Sequence, residues 1–160
     1  MARKPLVIGC DNAAVELKNV VIGVLKQEGI AFEDVGVANS GDATDYPLVA
    51  QRAVEKIIAS NYSKEGILIC GTGIGMAITA NKFPGIYAAV CHENYSAERA
   101  RLSNNSNVLC MGARIIGPEL AKKVLMEWLS LEFQGGRSLS KVQKIAAIEQ
   151  ENLKARVAKA

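Results

Sequence analysis

The apolar residues of this chain fall into five short runs that alternate with longer segments of helical spacing. Short apolar runs bounded by turn-forming residues predict buried strands, and apolar residues that recur every three or four positions predict amphipathic helices. The predicted strands are 6–10, 31–37, 66–70, 86–91 and 108–111. The predicted helices are 13–29, 46–60, 74–82, 95–102, 118–133 and, within the segment 137–160, a terminal helix from 138 to about 159.

This regular alternation predicts an α/β fold. Strands that are apolar on both faces are typical of a parallel sheet covered by helices on both sides. We therefore expect residues 1–160 to form a single domain around a doubly wound parallel five-stranded sheet, flavodoxin- or Rossmann-like. Ligands of such sheets bind at the carboxyl ends of the strands. The polar residues at those ends are Asp11, Asn12, Cys70, Thr72, His92, Glu93 and Arg114.

The terminal helix carries an apolar stripe beyond a glycine pair at 135–136. The stripe comprises Val142, Ile145, Ile148, Leu153 and Val157. An amphipathic helix buries its apolar face on its own domain or on another chain. The periodicity leaves two possibilities open: the helix covers its own sheet, or it packs on a partner subunit as a dimer contact.

The segment with the clearest chemical meaning is 67–77, ILICGTGIGMA, in which a buried strand leads through a glycine-rich turn into a helix. Backbone N–H groups converge at such a turn and attract an anion. The same groups stabilise a thiolate on Cys70. A basic sulfur beside N–H donors is what proton abstraction next to a carbonyl requires. The alternative is a tight turn without a ligand, which needs fewer glycines than stand here.

Two nucleotide-binding motifs resemble this turn only in part. A dinucleotide-binding turn requires a third glycine where Met76 stands, and an acidic residue about 20 positions further on, where 88–91 is apolar. A P-loop requires Lys and then Ser or Thr after Gly75, where Met76 and Ala77 follow. We therefore expect no nucleotide cofactor.

Composition narrows the class of partner. A net charge of +3 with 5% aromatic residues offers neither the charge nor the stacking surface of a nucleic-acid-binding protein. No apolar segment reaches the ~20 residues of a membrane span. The cysteines lack C-x-x-C spacing, no signal peptide precedes Arg3, and a single histidine without grouped carboxylates argues against a metal site. We expect a cytoplasmic protein with no metal ion, in which Cys91 and Cys110 are core residues.

Seven segments, in order along the chain, resemble the ribose-5-phosphate isomerase type B family, which also contains the galactose-6-phosphate isomerase subunits. They are IGCD at 8–11, TDYP at 44–47, LICGTGIG at 68–75, ANK at 80–82, NNSNV at 104–108, GARIIG at 112–117 and FQGGR at 133–137. The resemblance covers nearly the whole chain. It implies a flavodoxin-like fold, no cofactor, and a homodimer or homotetramer with sites completed across the subunit interface.

The resemblance also implies a reaction, the metal-independent aldose–ketose isomerisation of a small sugar phosphate through a cis-enediolate. Cys70 stands where the family's proton-shuttling base stands, and Thr72 matches a threonine that handles substrate hydroxyls. The implied substrate-binding residues are Asp11, Asn12, Tyr46, Gly71, Gly73, Ile74, Gly75 and Asn104, with the loop N–H groups and Asn104 at the enediolate oxygen. The implied phosphate-binding residues are Arg114, Arg137 and Lys141, although Arg137 and Lys141 also fit a solvated basic surface.

Three positions depart from the family pattern. Asn12 replaces a histidine at a phosphate contact, and Lys141 replaces an arginine, which keeps the charge but loses bidentate geometry. Ser103 replaces the histidine that opens the sugar ring. A serine hydroxyl is a poor acid–base group near neutral pH. Ring opening would therefore require a helper for Ser103, or His92 in its place.

A tetrose 4-phosphate needs no ring opening, because its O4 carries the phosphate, whereas pentose 5-phosphates and hexose 6-phosphates close through a free hydroxyl. The segments 95–100, 102–105 and 136–138 also resemble the tetrose-phosphate branch of the family, known from erythritol catabolism. We therefore expect interconversion of D-erythrulose 4-phosphate and D-erythrose 4-phosphate. The alternatives are ribose 5-phosphate as the substrate and, from another class, a non-catalytic phosphosugar-binding subunit.

Overall fold

The predicted alternation of strands and helices is present in the computed structural model, which describes residues 3–158 apart from the side chain of Arg156. The strands are β1 (Leu6–Cys10), β2 (Phe32–Asp34), β3 (Glu65–Cys70), β4 (Ala88–Val90) and β5 (Val108–Gly112). The helices are α1 (Val15–Gln27), α2 (Tyr46–Ala59), α3 (Ile74–Ala80), α4 (Asn94–Leu102), α5 (Pro118–Ser130) and α6 (Leu139–Val157). Short 3-10 turns, Asn12–Ala14 and Gly136–Ser138, precede α1 and α6. The end of the predicted terminal segment, 159–160, lies outside the described residues.

The five strands form one parallel sheet in the order β2-β1-β3-β5-β4. Helices α1, α4 and α5 pack together on one face, and α2 and α3 pack together on the other. The doubly wound, Rossmann-like α/β fold is therefore confirmed. The order differs from that of flavodoxin in the last two strands, because β5 lies between β3 and β4. The burial of the two strands agrees with this order: every residue of β5 is buried, whereas β4 is half-buried, as is typical of an edge strand.

The two edge strands are shorter than the predicted spans of 31–37 and 86–91. The carboxylate of Asp34 accepts the N–H of Gly36 at 2.9 Å, and this local turn ends the regular part of β2. The N–H groups of the two following valines still donate to carbonyls of β1 at 2.9 and 3.0 Å. Pairing with β1 thus continues beyond the regular strand.

The hydrophobic core lies on both faces of β1, β3 and β5, whose residues are all buried. Cys91 and Cys110 are 1% and 0% exposed, which confirms their prediction as core residues. Burial raises the pKa of Cys91 to about 11 and that of Cys110 well above its usual value, so both thiols stay protonated. Within residues 3–158, no helix combines the length and apolarity needed to cross a membrane.

We call the edge of the sheet where β3 and β5 begin the amino edge. A buried ion pair lies there. Arg101, near the end of α4, forms two hydrogen bonds of 3.0 Å with the carboxylate of Glu65. It also donates to the carbonyl of Ser106 at 2.7 Å, and its guanidinium lies 4.2 Å from the ring centre of Trp128. These contacts hold the connection between α4 and β5, residues 103–107, in place.

The terminal helix α6 leans on the chain ahead of β4 rather than on a face of the sheet. The carboxylate of Glu149 accepts hydrogen bonds from the N–H of Gly85 at 3.0 Å and from the hydroxyl of Tyr87 at 3.3 Å. On the predicted apolar stripe, Ile145 is 41% exposed and Ile148 is 58% exposed. The stripe is therefore left largely uncovered by its own chain.

Candidate active site

Cys70 ends β3 at the opposite, carboxyl edge of the sheet, with 5% of its surface exposed. The N–H of Gly73 turns back and donates to Cys70 Sγ at 3.1 Å. Gly73 has a φ of 76°, and a Cβ at this position would lie 2.9 Å from the backbone of Met111. Glycine is required on both counts. Residues 70–73, which we call the thiol loop, thus place an N–H donor where it stabilises a thiolate.

Helix α3, which follows the thiol loop, is two residues shorter than the predicted 74–82. The N–H of Ile74 donates to Thr72 Oγ1 at 3.3 Å, so this donor is already occupied. Charge stabilisation at Cys70 therefore depends more on the loop N–H groups than on the dipole of a seven-residue helix. Gly75 lies directly under the ring of Tyr46, and any side chain at that position would overlap the ring.

Strand β5 supports the thiol loop. Gly112 is the register partner of Cys70, and beyond it the N–H of Arg114 donates to the carbonyl of Gly71 at 3.0 Å. A Cβ at Gly112 would lie 2.7 Å from Thr72 Cα, so the two backbones are in direct contact. The pairing of β3 with β5 thus continues into both loops and fixes their relative position.

A cation and a carboxylate border the thiol loop. The side chain of Arg114 runs along Gly71, where an added Cβ would lie 3.4 Å from Arg114 Cδ. Asp11 follows β1, and its carboxylate accepts the N–H of Ala13 at 3.1 Å. Burial raises the pKa of Asp11, while the Ala13 N–H and the charge of Arg114 oppose that rise. Asn12 is exposed beside Asp11, so the carboxyl edge collects the predicted residues of three neighbouring strands.

Ser103 and Asn104 lie at the amino edge instead. Helix α4 begins beside the end of β4 and runs back, so that residues 103–107 lead into β5. The six residues of β3, a length of about 20 Å, separate this edge from Cys70. Within one chain, the structure therefore does not bring Asn104 to Cys70.

Ser103 is contacted by an arginine that no sequence motif indicates. Arg99 Nη1 donates to Ser103 Oγ at 3.5 Å, and Arg99 also pairs with Glu98. Among the described residues, Arg99 Nε is buried without a hydrogen-bond partner. The spacing of four residues, from α4 to the residue directly after it, was the available signal for this pair.

Arg137 and Lys141 are exposed at the start of α6 and in the turn before it. Phe133, which precedes Arg137 in the chain, lies beside the start of β3, and Glu149, which follows Lys141 on α6, lies beside the start of β4. The two cations therefore belong to the amino edge, with Asn104, whereas Arg114 belongs to the carboxyl edge.

His92, the second candidate for ring opening, makes a backbone contact. Its Nε2 accepts the N–H of Gly112 at 2.9 Å. Burial lowers the pKa of His92 and favours the neutral imidazole. An Nε2 that accepts a backbone hydrogen bond is not free to take a proton from a sugar hydroxyl. Within residues 3–158, no three His, Cys, Asp or Glu side chains converge as metal ligands.

Known proteins are similar to this chain in sequence and in fold. Residues 6–145 match the ribose/galactose isomerase family. The D-erythrulose-4-phosphate isomerase of Pectobacterium atrosepticum is 48% identical over 146 residues, which cover 91% of this chain and 95% of that protein. The ribose-5-P isomerase B of Listeria innocua is 48% identical over 147 residues, which cover 92% and 98%. The crystal structure of Mycoplasma genitalium ribose-5-phosphate isomerase B with bound ribulose-5-phosphate has a TM-score of 0.87 at 32% identity, covering 92% of this chain and 97% of that one.

The fold, the thiol loop and these similarities together define a sugar-phosphate isomerase. The chain belongs to the ribose/galactose isomerase family. The predictions of the family and of an enzyme are thereby confirmed, and the alternative of a non-catalytic binding subunit is set aside. Since relatives named for two different sugars are equally identical to this chain, the substrate has to be argued from the site.

Proposed function

We propose that this enzyme interconverts D-erythrulose 4-phosphate and D-erythrose 4-phosphate through a cis-enediolate, without a metal ion. The observation that carries the proposal is the pairing of Ser103 with Arg99 where the family has its ring-opening histidine. Neither a serine hydroxyl nor a guanidinium takes up a proton near neutral pH. A tetrose 4-phosphate does not require such a group, because its O4 is blocked and the chain stays open.

In this mechanism Cys70 is the base. Its thiolate removes a proton from C1 of the ketose, the electron pair forms the C1–C2 double bond, and negative charge develops on O2. The same sulfur returns the proton to C2 while the O1 hydroxyl proton passes to O2, which gives the aldose. Thr72, two residues after Cys70 in the thiol loop, assists the transfer between the hydroxyls. Loop N–H groups other than those of Gly73 and Ile74, which already bond to Cys70 and Thr72, hold the enediolate oxygen, and one such donor contributes about 3–4 kcal/mol in comparable reactions.

A second subunit completes the site, in a homodimer or a homotetramer. Apolar side chains at the start of α2 and along α3 are 41% to 57% exposed: Tyr46, Leu48, Ile74 and Ile78. This surface runs from the thiol loop to the amino edge, because α3 returns along the sheet. Two copies of α3, antiparallel across a two-fold axis, would bring Asn104 of one chain to Cys70 of the other.

The same arrangement supplies the phosphate site from two chains. Arg114 would come from the subunit that provides Cys70, and Arg137 and Lys141 from the other. Asp11, Asn12 and Tyr46 would bind the sugar. The four cysteines are free thiols, which supports a location in the reducing cytoplasm.

The test is kcat/KM on D-erythrulose 4-phosphate and on D-ribose 5-phosphate, for the wild type, Cys70→Ala and Ser103→His. We expect the wild type to prefer the tetrose by about 100-fold or more, and Cys70→Ala to lose activity on both sugars. Ser103→His should gain activity on ribose 5-phosphate, because it restores an acid–base group for ring opening. A wild type that prefers ribose 5-phosphate would favour the second candidate, a ribose-5-phosphate isomerase, which the equal identity to the Listeria enzyme supports.

A further inference from the structure

We propose that His92 is a positioning residue of this site: its imidazole anchors the backbone of Gly112, and Gly112 supports the thiol loop around Cys70. The inference rests on the proposed role of Cys70 and adds a residue that the reaction itself does not require. Three contacts carry it, and they form a continuous path from the imidazole to the sulfur.

The first contact replaces a missing strand residue. Edge strand β4 ends at Val90, and the last regular ladder bond runs from the N–H of Cys91 to the carbonyl of Cys110 at 3.0 Å. Gly112 is the next β5 residue whose N–H faces this side, and it is buried. A buried N–H without an acceptor is costly, and His92 Nε2 provides the acceptor at 2.9 Å.

The second contact joins Gly112 to the thiol loop through backbone atoms. The position of a Cβ on Gly112 is 2.7 Å from Thr72 Cα, so a displacement of Gly112 moves Thr72 with it. The neighbouring backbone of Met111 confines Gly73 in the same way, since a Cβ there would lie 2.9 Å away. These approaches leave no space in which the loop could adjust independently.

The third contact is the hydrogen bond from the N–H of Gly73 to Cys70 Sγ, at 3.1 Å. The geometry of this hydrogen bond follows from the way Thr72 and Gly73 pack against the backbone of β5. The imidazole of His92 therefore sets the direction of the N–H that stabilises the thiolate. Burial keeps this imidazole neutral, which leaves Nε2 free to accept.

The experiment compares His92→Gln, whose amide oxygen reaches the place of Nε2, with His92→Leu, which has similar bulk and no acceptor. Three quantities are measured: the alkylation rate of Cys70 by iodoacetamide at pH 7.5, followed by mass spectrometry of the Cys70 peptide; kcat and KM; and the melting temperature. We expect His92→Leu to lower both the alkylation rate and kcat by roughly tenfold with KM unchanged, and His92→Gln to restore both to within about twofold.

An alkylation rate in His92→Leu equal to or above that of the wild type would overturn the inference, as would a Gln variant no better than the Leu variant. If His92→Leu does not fold, His92→Asn takes its place, because its shorter side chain does not bring an acceptor to Gly112. Alkylation needs no substrate. Full activity of Cys70→Ala would thus refute the proposed function, whereas unchanged alkylation in the His92 variants would refute the positioning role.

Discussion

The two edges of the sheet are built by different means. At the carboxyl edge, backbone groups form the site: Gly73 and Gly112 bring loop and strand into direct contact, and His92 bonds to an N–H. At the amino edge, buried side-chain charges stabilise the structure, since the ion pair of Arg101 and Glu65 holds the connection that contains Asn104.

This difference indicates how the labour is divided. The carboxyl edge contains the reacting atom, because N–H groups fixed by a sheet need little reorganisation when charge develops. The amino edge presents exposed polar groups far from Cys70 of the same chain, and in our proposal these groups contribute to the site of another subunit. Each chain then contributes half of two sites.

The largest effect is expected from separating the two edges by mutation. Cys70→Ala and Asn104→Ala should each be strongly impaired, Cys70→Ala the more so. Unfolded together and refolded as a mixture, they should recover about a quarter of wild-type activity, because half of the dimers are mixed and each has one intact site. The measurement is specific activity after refolding.

Cys70→Ala mixed with Arg114→Ala is the matched control, since both changes lie at the carboxyl edge and no mixed dimer has an intact site. Equal recovery in the two mixtures, or none in either, would contradict a site shared between the edges.

The second effect concerns stability at the amino edge. Arg101→Met leaves the carboxylate of Glu65 buried without its main partner and should lower the free energy of unfolding by about 3–5 kcal/mol. Lys122→Ala, which removes an exposed pair with Glu119, should cost less than about 1 kcal/mol. Urea unfolding of the two variants gives both values. Similar losses would mean that the buried pair does not secure this edge.

The third prediction tests the carboxyl edge with a matched pair of glycines. Gly112→Ala places a methyl group against Thr72 and should lower kcat by about tenfold or more through the displaced thiol loop. Gly23→Ala, inside α1 with open space around it, should leave kcat unchanged and raise the free energy of unfolding by about 0.5–1 kcal/mol. Steady-state kinetics and urea unfolding measure the two effects. An unaltered kcat in Gly112→Ala would show that the loop tolerates movement of β5.

The carboxyl edge was the more predictable of the two. Strand ends follow from apolar runs, and residues directly after parallel strands meet at one edge, so Asp11, Cys70 and Arg114 could be placed together from the sequence. The order of β4 and β5 could not, since both are short apolar runs and only their burial distinguishes edge from centre.

The amino edge could not be predicted because its contacts join distant residues. Glu65 and Arg101 are 36 positions apart, and nothing in the spacing indicates that they pair. The sequence offers His92 as a candidate acid–base group, but its partner is a backbone N–H, which carries no residue identity. Side-chain chemistry at strand ends is therefore visible in a sequence, whereas support through backbone contacts is not.

The smallest effect expected is a pH dependence of stability from His92. Burial lowers the pKa of His92 in the folded protein below its ordinary value of 6.5. The unfolded chain therefore binds more protons below that pH, and the free energy of unfolding should fall as the pH drops below 6.5, levelling off below the folded pKa. The nearest carboxylate in sequence, Glu93, is turned away to cap α4, with its oxygens 2.6 Å from two N–H groups.

Urea unfolding at pH 7.5 and 5.5 measures this loss in the wild type and in His92→Gln, which does not titrate. The wild type should lose more stability than the variant. Asp11, with its raised pKa, acts in the opposite direction at lower pH, since protonation favours its folded form. That contribution is common to both proteins and cancels in the comparison. If both proteins lost the same free energy of unfolding between pH 7.5 and 5.5, the neutral imidazole would make no stabilising hydrogen bond. That result would weaken the claim that the carboxyl edge is fixed through Gly112.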